Sequence, residues 1–289
     1  IDFIYVHNPL VGFLALLNTR LWRIPMVYHF HSLWYEEERI NRRAKEEQAS
    51  FSVQLELILN IIRFMEWTCF FSARSILFLS KYSERKFMSF FPFQKTRLQV
   101  IPGGVDVDVF QPPKEEVKEI RQRLQLPANR QIVLTVRRLA ARMGLENLVL
   151  AASLVVRRNP QLDIFLVIEG HGSMEEKLKS LNAKQDLQER VRMVGRVDTP
   201  ILALYYQSAD LFVIPTSLIE GFGMVTVEAL ASGLPVLGTP IGGTIEILKN
   251  IDDQWLFADT TPEAIADRLE SFLKDPRPFL AMKSRCREV

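Results

Sequence analysis

Short apolar runs alternate with stretches of helical period along nearly the whole chain. The runs at 3–6, 26–30, 75–79 and 99–101 predict buried strands. Between them, residues 9–17, 50–70 and 82–90 repeat their apolar positions at helical spacing and predict helices. Residues 36–47 are so rich in charge that they predict a solvated helix face or a mobile loop. The pattern breaks at Ile101-Pro102-Gly103-Gly104-Val105-Asp106 and again at Pro112-Pro113, where paired Gly and paired Pro interrupt regular structure. A domain boundary is expected there, giving domains 1–107 and 108–289. Beyond it the alternation restarts, with strands at 132–136, 164–169, 191–194, 211–214 and 236–238. Helices fall at 145–157, 174–181, 201–207, 225–231, 245–248 and 262–273.

Strand–helix alternation in both halves predicts an α/β protein with two Rossmann-like, doubly wound parallel sheets. The first half supplies about four strands, so that domain is expected to be incomplete. The chain also opens on Ile1-Asp2-Phe3-Ile4-Tyr5-Val6, a strand met in mid-core, which reads as the start of a fragment. In such sheets ligands bind beyond the carboxyl ends of the strands, so the residues that follow each strand are the candidates for chemistry.

Composition narrows the classes. Lys and Arg number 36 against 34 for Asp and Glu, a net charge of +2. The balance is 13 to 11 up to Phe110 and 23 to 23 after it. Neither half carries the excess expected of a nucleic-acid binder. Cys69 and Cys286 form no motif and suggest a reducing compartment, so a cytoplasmic protein is expected. The stripe Phe64, Trp67, Phe70 and Phe71 is expected in the core rather than against a membrane. Four histidines without paired carboxylate spacing give no metal motif, and no metal or other cofactor is expected.

The strongest local signal runs from Glu220 through Gly221, Phe222, Gly223, Met224 and Val225 to Glu228, and on to Gly233-Leu234-Pro235-Val236. A strand ends at Ile214, and a glycine loop then feeds a helix beginning near Met224. Free amides at that helix start make a cradle for phosphate or sugar hydroxyls. The structural alternative is a tight turn with a carboxylate favoured by the helix dipole. Arg138 follows the strand 132–136, where a guanidinium can grip a diphosphate in a fork; the alternative is an exposed basic loop. Arg142, the turn Gly195-Arg196-Val197, and His31 after strand 26–30 are further candidates of the same kind. His29 is read as structural, and His171 as a donor contact or a solvated loop residue.

These strings together resemble the signature of the retaining glycosyltransferases of family 4, which have the GT-B fold. The E-x7-E string with Pro235-Val236 and Gly242-Gly243-Thr244-Ile245-Glu246 carries the resemblance. Val136-Arg137-Arg138-Leu139 with Gly144 is similar to the family's donor-phosphate loop, and Glu169-Gly170-His171-Gly172 to its second glycine turn. His29-Phe30-His31-Ser32 is similar to its N-domain histidine loop. The resemblance implies sugar transfer from a nucleotide-diphosphate sugar to a glycan, lipid or small-molecule acceptor, with retention and without a metal. It implies Glu220, His31 and Arg138 as catalytic. Donor binding would fall to Arg138, Arg142, Gly195, Arg196, Gly221, Phe222, Gly223, Met224, Val225 and Glu228. Peripheral contact with a membrane face is left open.

Three departures stand out. Met143 occupies the position where the family carries Lys before the glycine, so an Arg must hold the phosphate. The family's first strand with its glycine-rich loop is absent, and its last helix is cut at Val289. Other readings are a sugar-nucleotide epimerase, a glycan phosphorylase (which needs a Lys for pyridoxal phosphate) or a catalytically degenerate nucleotide-sugar-binding domain. A dinucleotide dehydrogenase is disfavoured, because no G-x-G-x-x-G follows a strand.

Overall fold

A computed structural model of the chain describes residues 2–21, 23–45, 53–92, 97–281, 283 and 285–287. The chain separates into two compact units. One comprises Ile1–Gly103 with Ile219–Phe222, the other Gly104–Leu218 with Gly223–Val289.

The first unit holds a parallel sheet of four strands in the order β1 (Ile4–Val6), β2 (Met26–Phe30), β3 (Ala73–Phe78) and β4 (Arg97–Val100). Its helices are α1 (Pro9–Leu17), α2 (Trp34–Lys45), α3 (Val53–Ser72) and α4 (Lys81–Phe90). Polar side chains close the first turns. Asn8 accepts from the Leu10 amide before α1, and Ser80 accepts from the Ser83 amide before α4. Along β2, burial alternates strictly: Met26, Tyr28 and Phe30 are buried, whereas Val27 and His29 are half-exposed. The buried face packs on an aromatic cluster of Phe30, Phe70, Phe78 and Phe87, with ring centroids 5.1–5.9 Å apart.

One expectation is resolved here and another changes. The charged segment 36–47 forms helix α2 as far as Lys45, and its last two residues lie outside the described ones. Its first turn is held by the buried carboxylate of Glu66, which accepts from the amides of Trp34 (2.6 Å) and Tyr35 (3.2 Å). The aromatic stripe is not a core stripe: Phe64, Trp67 and Phe71 are 59%, 50% and 52% exposed, and Phe70 alone is buried. At 3.6 residues per turn, Phe70 shares a face with Leu59, Ile62 and Glu66, whereas the others continue the opposite row from Leu57 and Ile61. Among the described residues, no helix is long and apolar enough to cross a membrane.

The second unit holds a five-stranded parallel sheet in the order β7 (Val191–Gly195), β6 (Ile164–Glu169), β5 (Gln131–Val136), β8 (Leu211–Ile214), β9 (Val236–Gly238). The order reverses between β5 and β8, the switch point of a doubly wound sheet. Every residue of β6 and β8 is buried, as is β5 after Gln131, which is why these segments read as continuous apolar runs. The helices are α5 (Val117–Arg123), α6 (Leu145–Arg158), α7 (Glu175–Lys184), α8 (Thr199–Ser208), α9 (Met224–Ala231), α10 (Thr244–Lys249), α11 (Pro262–Lys274) and α12 (Arg277–Leu280). Of these, α5 and α12 were not expected. α6 packs against α7 and α11, and α5 against α8. Asp198 and Thr261 cap α8 and α11, each with a Pro in the first turn.

Candidate functional site

The segments that leave β5 and β6 run side by side. The Arg137 amide donates to the Glu169 carbonyl (2.9 Å), and the Leu139 amide to the His171 carbonyl (3.0 Å). Gly170 makes this approach possible. Its φ is +130°, and a Cβ there would lie 1.9 Å from the Arg137 carbonyl oxygen, so no other residue fits. The second glycine turn therefore locks the loop that presents Arg138.

A cavity of about 360 Å³ opens at these strand ends. Arg137 and Arg138 line it after β5, Glu169 and His171 after β6, Arg196 and Val197 after β7, and Val225 in the first turn of α9. All belong to the second unit. Arg138 is exposed, whereas Arg137 is buried and donates to Thr216 Oγ1 (2.6 Å) and to Met143 Sδ (3.0 Å). Met143 thus sits as an acceptor against a buried guanidinium, and the cavity's cationic character comes from arginine.

Glu169 is the carboxylate that sequence reasoning did not nominate. It is buried at the end of β6 and accepts from the Val197 amide (3.1 Å). Burial pushes its pKa up, opposed by that hydrogen bond and by the nearby charges of Arg196 and His171. A carboxylate closing an otherwise apolar run, Ile164 to Ile168, was the available signal.

At the start of α9, Gly223 adopts φ +89° and supplies no side-chain cap. A Cβ on it would lie 3.1 Å from Thr226 Oγ1 and 3.2 Å from Thr244 Oγ1. Both hydroxyls are buried and lack a hydrogen-bond partner in the protein. Buried hydroxyls without partners beside a helix N-terminus are acceptor-seeking, which suits a bound oxyanion or sugar. Farther along α9, Glu228 accepts from the Tyr206 hydroxyl (2.8 Å). Burial raises its pKa, the Tyr206 bond lowers it, and the charge of Glu169 raises it further.

The predicted residues are therefore divided. Arg138, Arg196 and Val225 line one cavity, with Gly195, Gly223, Met224 and Glu228 on its elements. Arg142 is buried with Nη1 3.8 Å from Met143 Sδ and is not among the lining residues. Glu220, Gly221 and Phe222 are grouped with the first unit, where the Gly221 carbonyl accepts from the hydroxyls of Ser80 (2.6 Å) and Ser83 (3.0 Å). Glu220 follows Ile219, whose φ of +53° is strained for a β-branched residue.

His31 lies in the first unit beside two other histidines. His7 Nδ1 is 3.1 Å from His31 Nε2, and the His29 and His31 rings are stacked with centroids 4.4 Å apart. Burial and the neighbouring imidazoles lower the pKa of His29 to about 4, and burial followed by the charge of His7 lowers that of His31.

Residues 116–288 match the family described as glycosyl transferases group 1, and residues 1–109 match glycosyltransferase family 4. The D-inositol 3-phosphate glycosyltransferase of Corynebacterium glutamicum is 25% identical over 97% of this chain and 66% of its own length. Among solved structures, a sucrose-phosphate synthase from Thermosynechococcus elongatus superposes with a TM-score of 0.80 at 24% identity, over 99% of this chain and 68% of that one. HepE of Anabaena, solved with UDP and glucose, gives 0.76 at 20% identity, over 99% and 72%. The chain spans about two thirds of the length of the curated relatives it matches, 66% for the first two. The two parallel sheets are those of the GT-B fold.

Proposed function

The chain belongs to the glycosyl transferases group 1 family, and on that premise we propose that it transfers a sugar from a nucleotide-diphosphate sugar to an acceptor, with retention and with no metal at the diphosphate. The observation that carries the reading is the cavity at the carboxyl ends of β5, β6 and β7. It combines an exposed Arg138 and Arg196 with the buried Glu169 and the first turn of α9. HepE, a protein of the same fold, was solved with UDP and glucose, which supports a nucleoside diphosphate as the occupant.

In this reading the bond between the anomeric carbon and the β-phosphate oxygen breaks, and its electron pair goes to the leaving diphosphate. Arg138 and the amides at Gly223 and Met224 stabilise that charge. The Arg196 turn presents backbone groups to the base, and Glu228 accepts from the ribose hydroxyls. By family resemblance alone, Glu220 holds the sugar hydroxyls, His31 serves the acceptor side, and the leaving phosphate takes the acceptor proton on the same face.

One observation favours a second reading, a nucleotide-sugar binder without transfer: the position of the family's Lys is filled by Met143, engaged with Arg137. The test is to incubate the chain with UDP-, GDP- and ADP-sugars and a panel of glycan and lipid acceptors. Transfer with retained anomeric configuration is expected. Glu220→Gln should lower kcat with nucleotide affinity unchanged, and Glu228→Gln should weaken free nucleotide as much as donor. Tight nucleotide binding with neither transfer nor hydrolysis would favour the second reading.

A further inference from the structure

The strand register assembles a histidine cluster in the first unit that the donor chemistry does not use. β1 pairs in parallel with β2, with Tyr5 opposite Val27 and Val6 opposite Tyr28. One residue farther, His7 comes level with His29. Because strand side chains alternate, His29 and His31 both leave the face opposite buried Met26, Tyr28 and Phe30. Three of the chain's four histidines, far apart in sequence, thereby meet at one end of one sheet face.

Each of the three offers a ring nitrogen within 4.8 Å of the other two. The closest pair, His7 Nδ1 and His31 Nε2, is 3.1 Å apart. Two imidazole nitrogens on a tetrahedral zinc ion stand about 3.3 Å apart, given Zn–N bonds of about 2.0–2.1 Å. That pair is already close to ligand spacing. The third ring is prepared differently. Tyr5 Oη lies 2.8 Å from His29 Nδ1, which leaves Nε2 as the free nitrogen, and that atom is buried without a hydrogen-bond partner. A ligand histidine whose other nitrogen is held by a neighbour is the usual arrangement around a bound metal. The rings of His29 and His31 are nearly parallel, at 20°, so binding needs a turn of the rings about their Cβ–Cγ bonds; the paired strands need not move.

We propose that His7, His29 and His31 form a binding site for a divalent transition-metal ion, zinc in the first instance, with Tyr5 orienting His29 and water completing the coordination. Three neutral imidazoles select zinc, copper, nickel or cobalt over magnesium and calcium, which prefer oxygen. His7 and His31 are exposed, so the ion has access from solvent. The site lies in the first unit, whereas the donor cavity belongs to the second, and it shares only His31 with the acceptor side of the reading above.

The experiment is calorimetric titration of the tag-free full chain with Zn2+, paralleled by Co2+ titration read from its visible ligand-field absorption. One equivalent should bind, with a tetrahedral or five-coordinate cobalt spectrum, and Mg2+ in place of zinc should give no heat. His7→Ala, His29→Ala and His31→Ala should each weaken binding at least about tenfold, and Tyr5→Phe by about tenfold. His171→Ala, which alters the histidine outside the cluster, should bind as the parent does. If the His29 variant fails to fold, His7→Gln and His31→Gln, at exposed positions, carry the same test; circular dichroism in chelator confirms their fold. No binding by the parent, or binding that survives loss of these histidines, would overturn the site.

Discussion

The two units solve the same problem, a parallel sheet, with different completeness. In the second unit β5, β6 and β8 are covered on both faces, and their side chains are almost wholly buried. In the first unit β2 alternates between buried and half-exposed positions, and its helices leave apolar rows in the open. These rows are Leu10, Val11, Leu14 and Leu17 on α1, and Leu57, Ile61, Phe64, Trp67 and Phe71 on α3. The difference separates two kinds of aromatic residue that the sequence pattern merges. Phe70, in the cluster with Phe30 and Phe87, is part of what folds the first unit. Phe64, Trp67 and Phe71 are not.

The largest expected effect breaks that distinction directly. Phe70→Ala should destabilise the first unit by about 3–5 kcal/mol, the usual cost of emptying a packed aromatic site. Phe64→Ala, Trp67→Ala and Phe71→Ala should each stay within about 0.5 kcal/mol, as surface changes do. Urea unfolding followed by circular dichroism measures both, and equal losses at Phe70 and Phe64 would erase the contrast.

The next effect belongs to the second unit. Arg138→Ala should cost about 2–4 kcal/mol of nucleoside-diphosphate affinity, because a guanidinium on a phosphate makes charge-assisted, bidentate hydrogen bonds. Met143→Lys should change affinity by no more than about 1 kcal/mol if arginine already neutralises the phosphates. A large gain from the lysine, with activity appearing in an inert protein, would mean that the natural site is degenerate.

A smaller effect probes the first unit's internal electrostatics. Burial raises the Glu66 pKa from 4.5 to about 7, against the pull of the Tyr35 and Trp34 amides. The native state therefore holds a proton that the unfolded chain releases, and Glu66's contribution falls as pH rises from about 4.5 through 7. Glu66→Gln removes that slope while keeping an oxygen for the two amides. Relative to the parent, the variant should gain stability between pH 5 and pH 8, as read from denaturation midpoints at both.

Most of the second unit was legible in the sequence, because a strand buried on both faces is a continuous apolar run and its boundaries are visible. The predicted strands at 164–169, 211–214 and 236–238 coincide with β6, β8 and β9. α5 and α12 escaped because they are short, seven and four residues, and give little room for a helical period to show. In the first unit, α2 was ambiguous because its stability comes from a distant carboxylate, Glu66, that caps it.

The site was read in part. Arg138 and the α9 start were visible as residues after strands, whereas Glu169 was hidden inside a motif read only for its glycines. Arg142 illustrates the reverse: a basic residue at the right spacing whose side chain turns inward. The histidine cluster depends on cross-strand register, which no spacing along the chain displays.

The central claim is that the donor nucleotide is held by the second unit alone, since every residue lining the cavity belongs to it. Residues 104–289 expressed alone provide the most direct test, through melting curves and calorimetry with UDP, GDP and ADP. A cooperative melt is predicted, with affinity for at least one nucleotide within about tenfold of the full chain and a stabilisation of about 2.7 kcal/mol at a ligand concentration of 100 Kd. A folded unit that binds none of the three, while the full chain does, would contradict the claim.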